Sequence, residues 1–157
     1  MRIIFGVHKG KSVAEVMVKN PEHVKWILQN SDAEEPVRTV REEMVRLIEI
    51  FDSKPFTKRC FGRYCAGKKA TRCTAYKSYY DSLYWWCDKC NPYQSGANVG
   101  TLHAISTYED ALGYVNFVCQ DKRLDYAAFI AQLAQEKGLP DRASIDDIYS
   151  FFMEMVC

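Results

Sequence analysis

The chain has 157 residues, 48% of them apolar and 26% charged, which suits one domain or two small modules able to bury a core. No apolar run approaches the roughly 20 residues of a membrane span, and Met1-Arg2-Ile3-Ile4-Phe5-Gly6 is too short in apolar length for a secretory signal, so the expected location is the cytoplasm. The net charge of +1 hides an asymmetry: residues 53–80 carry eight cations (Lys54, Lys58, Arg59, Arg63, Lys68, Lys69, Arg72, Lys77) and no acid, which leaves the rest of the chain at −7.

In chain order, Arg2 to Val7 predicts a short strand, and His8-Lys9-Gly10-Lys11 a basic turn. Ser12-Val13-Ala14-Glu15 is a capping box that opens a short helix ending near Lys19. Asn20-Pro21 predicts a second helix, with Asn as cap, an apolar stripe of Val24, Ile27 and Leu28, and Trp26 at its edge. Val37, Val40, Met44, Leu47, Ile48 and Phe51 recur at helical spacing and predict a third helix over 36–51, closed by Pro55. Residues 74–80 and 83–86 predict an aromatic hairpin turning at Asp81-Ser82, with Trp86 and Tyr84 on one face and Trp85 on the other. Asn91-Pro92 and Ser95-Gly96 are turn chemistry. Three further helices are expected. The first opens on the Thr107/Asp110 box and runs to about Cys119. The second spans 124–137 and stops at Gly138-Leu139-Pro140. The last opens on the Ser144/Asp147 box. The fold class is α+β, mostly helical: an N-terminal strand-turn-helix module over 1–55, a zinc-stapled antiparallel sheet over 56–105, and C-terminal helices over 106–157.

Seven cysteines is a high count for a cytosolic chain, and five of them fall between residues 60 and 90. Cys60 and Cys65 form a Cys-x4-Cys knuckle, and Cys87 and Cys90 a Cys-x2-Cys knuckle, 21 residues apart. Two short loops of this kind each bring two sulfurs to one side of a tetrahedral ion, and four soft thiolates select zinc over hard cations. A site with four protein ligands has no open position, so the zinc is expected to be structural. Cys73 is the competitor, either replacing one of the four or standing by, and His103 is a remoter alternative. The spacing matches no common iron–sulfur pattern.

Phe5-Gly6-Val7-His8-Lys9-Gly10-Lys11-Ser12, followed by an amphipathic helix and Val24-Lys25-Trp26-Ile27-Leu28, resembles the module at the C-terminus of exodeoxyribonuclease X and in stand-alone bacterial and phage proteins. The match covers about residues 3–30. It implies association with nucleic-acid processing in phage or defence biology, without the nuclease domain that accompanies the module in the exonuclease.

Lys9 and Lys11 flank Gly10 before a helix N-terminus, where a phosphate would be welcome. Within the basic stretch, Lys58, Arg59, Arg63, Lys68, Lys69, Arg72 and Lys77 interleave with aromatic residues, so cations for phosphates lie beside rings for unpaired bases. No Walker loop, dinucleotide fingerprint, serine elbow or acidic nuclease set is present. The expectation is a non-enzymatic accessory protein that binds nucleic acid, DNA ahead of RNA, and assists a nuclease or other DNA-processing complex. The rivals are a protein–protein adaptor or homodimer built on the acidic remainder and on Tyr149, Phe151, Phe152, Met153 and Met155 of the last helix, with Phe151 and Met155 off its main stripe, and a small nuclease.

Overall fold

The computed structural model describes every residue except 31, 77–78, 96–101, 119–121 and 154–157. It has six helices and one three-stranded antiparallel sheet, the mainly helical α+β class expected. No helix among the described residues is long and apolar enough to cross a membrane.

The first residues make a closed loop where a strand was expected. The sole pairing is a bridge between Arg2 and Ser12. Gly6 and Gly10, at φ of 70° and 92°, turn the apolar segment back before a ladder can grow. Ile3 is buried by the reversal, its N–H donating to Lys11 O at 2.9 Å, while Ile4 and Val7 are left exposed. Helix α1 (Val13–Lys19) then starts on the expected cap, with Ser12 Oγ accepting from Glu15 N at 3.1 Å. Helix α2 (Pro21–Gln29) has proline in its first turn but no side-chain cap. Asn20 Oδ1 accepts from Lys11 Nζ at 3.2 Å, so the expected capping oxygen is already engaged. Helix α3 (Val37–Ser53) buries the predicted stripe from Val40 to Phe51.

Strands β1 (Arg72–Tyr76), β2 (Tyr79–Trp86) and β3 (Leu102–Ile105) pair in the order β2-β1-β3. Asp81 and Ser82 lie inside β2 and do not form the turn. The register pairs Arg72 with Trp86 and Tyr76 with Tyr79. β3 was not anticipated; its four residues include exposed His103 and Ala104 and carry little strand signal. Trp85 turns toward the helices with Cys73, Ala75, Leu83 and Ile105, and Phe56 meets its ring at 4.9 Å. Trp86 lies on the opposite face, where its Nε1 donates to Thr74 Oγ1 at 2.9 Å.

Both C-terminal capping boxes form as expected. Thr107 and Asp110 exchange bonds of 3.0 and 3.1 Å at the start of α4 (Tyr108–Val118). Ser144 and Asp147 exchange bonds of 2.9 and 3.1 Å at the start of α6 (Ile145–Met153). Between them, α5 (Lys122–Gln135) ends at Gly138, with φ of 112°. Helix α1 packs against α3, α5 and α6, so the two ends of the chain share one core. Tyr108 clasps it, its hydroxyl donating to Met17 O at 2.7 Å and its N–H to Asp52 Oδ1 at 2.8 Å. Phe151, expected off the buried stripe, is 5% exposed because Phe51, Phe152 and Lys54 close over it; Met155 lies outside the described residues.

Candidate metal centre

The cysteine segment is built outward from the sheet. Residues 58–60 and 68–70 run antiparallel, with an Arg59–Lys69 bridge, Cys60 N donating to Lys68 O at 2.8 Å and Ala70 N to Lys58 O at 2.9 Å. The first knuckle is the tip of that reversal. Phe61 N donates to Trp85 O at 2.8 Å, which pins the tip to β2. The second knuckle follows at once, since Cys87 is the residue after Trp86. Arg72 donates through a guanidinium nitrogen to Cys90 O at 2.8 Å, and Gln94 Oε1 accepts from Arg63 N at 2.8 Å, so each knuckle is also braced from outside.

This frame brings together the Sγ atoms of Cys60, Cys65, Cys87 and Cys90, all within 4.8 Å of one another. A tetrahedral thiolate centre with metal–sulfur bonds of about 2.3 Å has sulfur–sulfur edges of roughly 3.8 Å, so only a small contraction separates this cluster from a coordination sphere. Backbone donors suit the sulfurs to carry charge. Gly62 N donates to Cys60 Sγ at 3.3 Å. Amides of Lys68 and Gly67 hold the Cys65 thiol below its ordinary range, and amides that include Lys89 draw Cys87 down to about 6. Cys90 is pushed up to about 12 by its hydrogen bonds to Cys87 and Cys60, since four clustered sulfurs cannot all ionise without a cation among them. Gly62 completes the fit. A β-carbon there would stand 2.7 Å from Cys90 Sγ and 3.4 Å from Cys60 Sγ, so the knuckle closes only around hydrogen.

Cys73 stands apart. It is fully buried in β1 facing the helices, and burial pushes its thiol up to about 12, so it is a core residue and not a fifth donor. His103 lies in β3 against the Tyr114 ring at 5.4 Å, outside the sulfur cluster.

No family model matches the chain, and no curated protein and no solved structure is found similar to it.

The expected nucleic-acid contacts divide by placement. Arg59, Arg63, Lys68 and Lys69 are exposed around the first knuckle. Lys58 is exposed and lies 4.0 Å from Glu136. Arg72 is half-buried and committed to Cys90 O, which makes it a brace of the metal centre. Lys11 is committed as well, its Nζ lying 3.2 Å from both His8 Nδ1 and Asn20 Oδ1. Lys9 stays exposed in the N-terminal loop, and Lys77 lies outside the described residues. One residue at the site and one outside it gave no sequence signal. Gly62 looked like any loop glycine. Lys137, beyond the cysteine segment, sends its Nζ to Phe51 O at 2.9 Å and Lys54 O at 2.6 Å, over the Phe56 ring at 4.4 Å. It joins the end of α5 to the end of α3 and to the first residues of the cysteine segment. Burial lowers its amine to about 8.

Proposed function

We propose that this chain is a cytoplasmic, non-enzymatic protein that binds nucleic acid through a zinc-stapled double knuckle and assists a nuclease or other DNA-processing complex. The observation that carries this is the group of exposed cations at the first knuckle: Arg59, Arg63, Lys68 and Lys69 lie in or beside it, Arg59 donates to Gly67 O at 3.3 Å, and among the described residues none of the four has an ion-pair partner. Four thiolates favour zinc, and with every position filled by protein the ion supplies folding and no chemistry. The stapled loop holds the cations outward, where phosphates can reach them. The tie to a nuclease rests on the resemblance of residues 3–30 to the exodeoxyribonuclease X module. DNA is the proposed ligand ahead of RNA.

The test is fluorescence anisotropy with labelled DNA across a salt series. Affinity should fall steeply with salt, and substituting Lys68 and Lys69 by Gln should flatten that slope by about one to two phosphate equivalents. Affinity indifferent to salt would reject the proposal. A second reading, a protein–protein adaptor or homodimer, is favoured by α6, where Ile145, Tyr149 and Met153 are each 44% exposed or more. Light scattering that gives a dimer mass would support it.

A further inference from the structure

We infer that the nucleic acid this knuckle takes is unpaired, with its bases laid against Phe61, Tyr64 and Tyr84 and its phosphates held by Arg59, Arg63, Lys68 and Lys69. The inference rests on the nucleic-acid proposal and narrows it to single strands, or to the unpaired parts of larger structures.

Six rings of the cysteine segment, among those described, differ sharply in exposure. Phe56, Trp85 and Trp86, at 3%, 3% and 2% exposure, supply its interior. Phe61, Tyr64 and Tyr84, at 48%, 98% and 47%, are left outside. Two of them come from the four-residue turn between Cys60 and Cys65, so the same sulfurs that close the knuckle place the rings. Tyr84 comes from the neighbouring strand.

Phe61 and Tyr84 already have seats. Their centroids are 6.0 Å apart at 89°, and Tyr84 lies 6.5 Å from Trp86 at 30°. The Phe61 backbone is tied to Trp85 O at 2.8 Å. Rings held this way lose little freedom when a flat partner settles on them. A duplex hides the faces of its bases within its own stack and would use only the cations. A single strand offers phosphates and base faces together, and the surface displays a counterpart for each. A protein partner fits less well, because a surface enriched in cations is depleted in the apolar continuity of an interface core.

The experiment compares labelled oligodeoxyuridine, oligouridine and a blunt mixed-sequence duplex of equal length, each at a low and a high salt concentration, against the intact chain and the Tyr64→Ala and Tyr84→Ala variants. Bound metal is measured on each variant; Tyr64 is almost wholly exposed, so its removal leaves the fold alone. The expected result is at least one homopolymer bound about tenfold more tightly than the duplex, with each ring variant losing about fivefold or more on the strand and little on the duplex. The homopolymer preferred identifies the sugar. Equal affinity for strand and duplex, unmoved by either variant, would overturn the single-strand inference and leave phosphate binding standing. No salt-sensitive binding to any of the three would overturn both.

Discussion

Gly62 shows how much a single hydrogen atom decides in this molecule. A methyl group there meets Cys90 Sγ at 2.7 Å and Cys65 Cβ at 3.2 Å, and both neighbours belong to the sulfur cluster. Gly62→Ala is expected to weaken metal binding by about 10- to 100-fold, on the scale of other substitutions just behind metal ligands. Competition with a chromophoric chelator measures it. At the other end of the chain, the His23 imidazole packs 4.6 Å from His8 and 5.7 Å from Trp26, with its Nε2 buried and unbonded. Burial, and then the charge of His8, hold its pKa below the ordinary 6.5. The unfolded chain therefore takes up this proton at a higher pH than the folded chain. The stability contributed by neutral His23 is present above about 6.5 and is lost as the pH falls from there through the lower pKa of the folded state. Urea unfolding at pH 7.5 and pH 5.5 should show the loss, and His23→Gln should reduce it. An unchanged difference in the variant would assign the pH dependence elsewhere.

Elements whose identity rests on local chemistry were legible. The Thr107/Asp110 and Ser144/Asp147 boxes predicted the starts of α4 and α6, because a cap is settled by residues three apart. Asp110 shows the strength of that signal, with Oδ2 accepting from Ser106 N, Ser106 Oγ and Thr107 N at 3.0–3.1 Å. Asp110→Ala should cost about 1–2 kcal/mol of unfolding free energy, read by chemical denaturation, whereas a cost near zero would mean α4 needs no cap. The sulfur pairs were legible for the same reason, since two short loops carry their geometry with them. Elements set by distant partners were not. Residues 2–7 have strand composition, yet the two glycines fold them onto residues 10–13 instead. β2 begins four residues earlier than the aromatic run suggested, because its register is set by the pairing of Arg72 with Trp86. β3 forms only because β1 offers it an edge. Phe151 reads as exposed on a helical wheel of α6 alone, and is buried by α3.

Across the whole molecule, the helices and the cysteine segment depend on different forces. The six helices bury Val16, Met17, Ile27, Met44, Phe51, Phe129 and Phe152 in one apolar cluster, which supplies their stability without an ion. The knuckles bury little beyond Phe56, Trp85 and Trp86, and need the cluster of sulfurs to close. Lys137, and the core cluster that Phe56, Cys73, Leu83, Trp85 and Ile105 share with the helices, connect the two regions. The surface charge follows the same division: cations gather on the stapled loop, and the acidic balance falls on the rest of the chain. The functional proposals therefore depend on the staple more than on any helix.

Native mass spectrometry with elemental analysis, on protein purified without added metal, tests that staple most directly. With zinc in the sulfur cluster as proposed, the expected result is one zinc ion per chain, retained in Cys73→Ala and lost in Cys60→Ser/Cys90→Ser, with the doubly substituted protein melting at a lower temperature. A metal-free chain, or a double variant whose melting is unchanged, would contradict it.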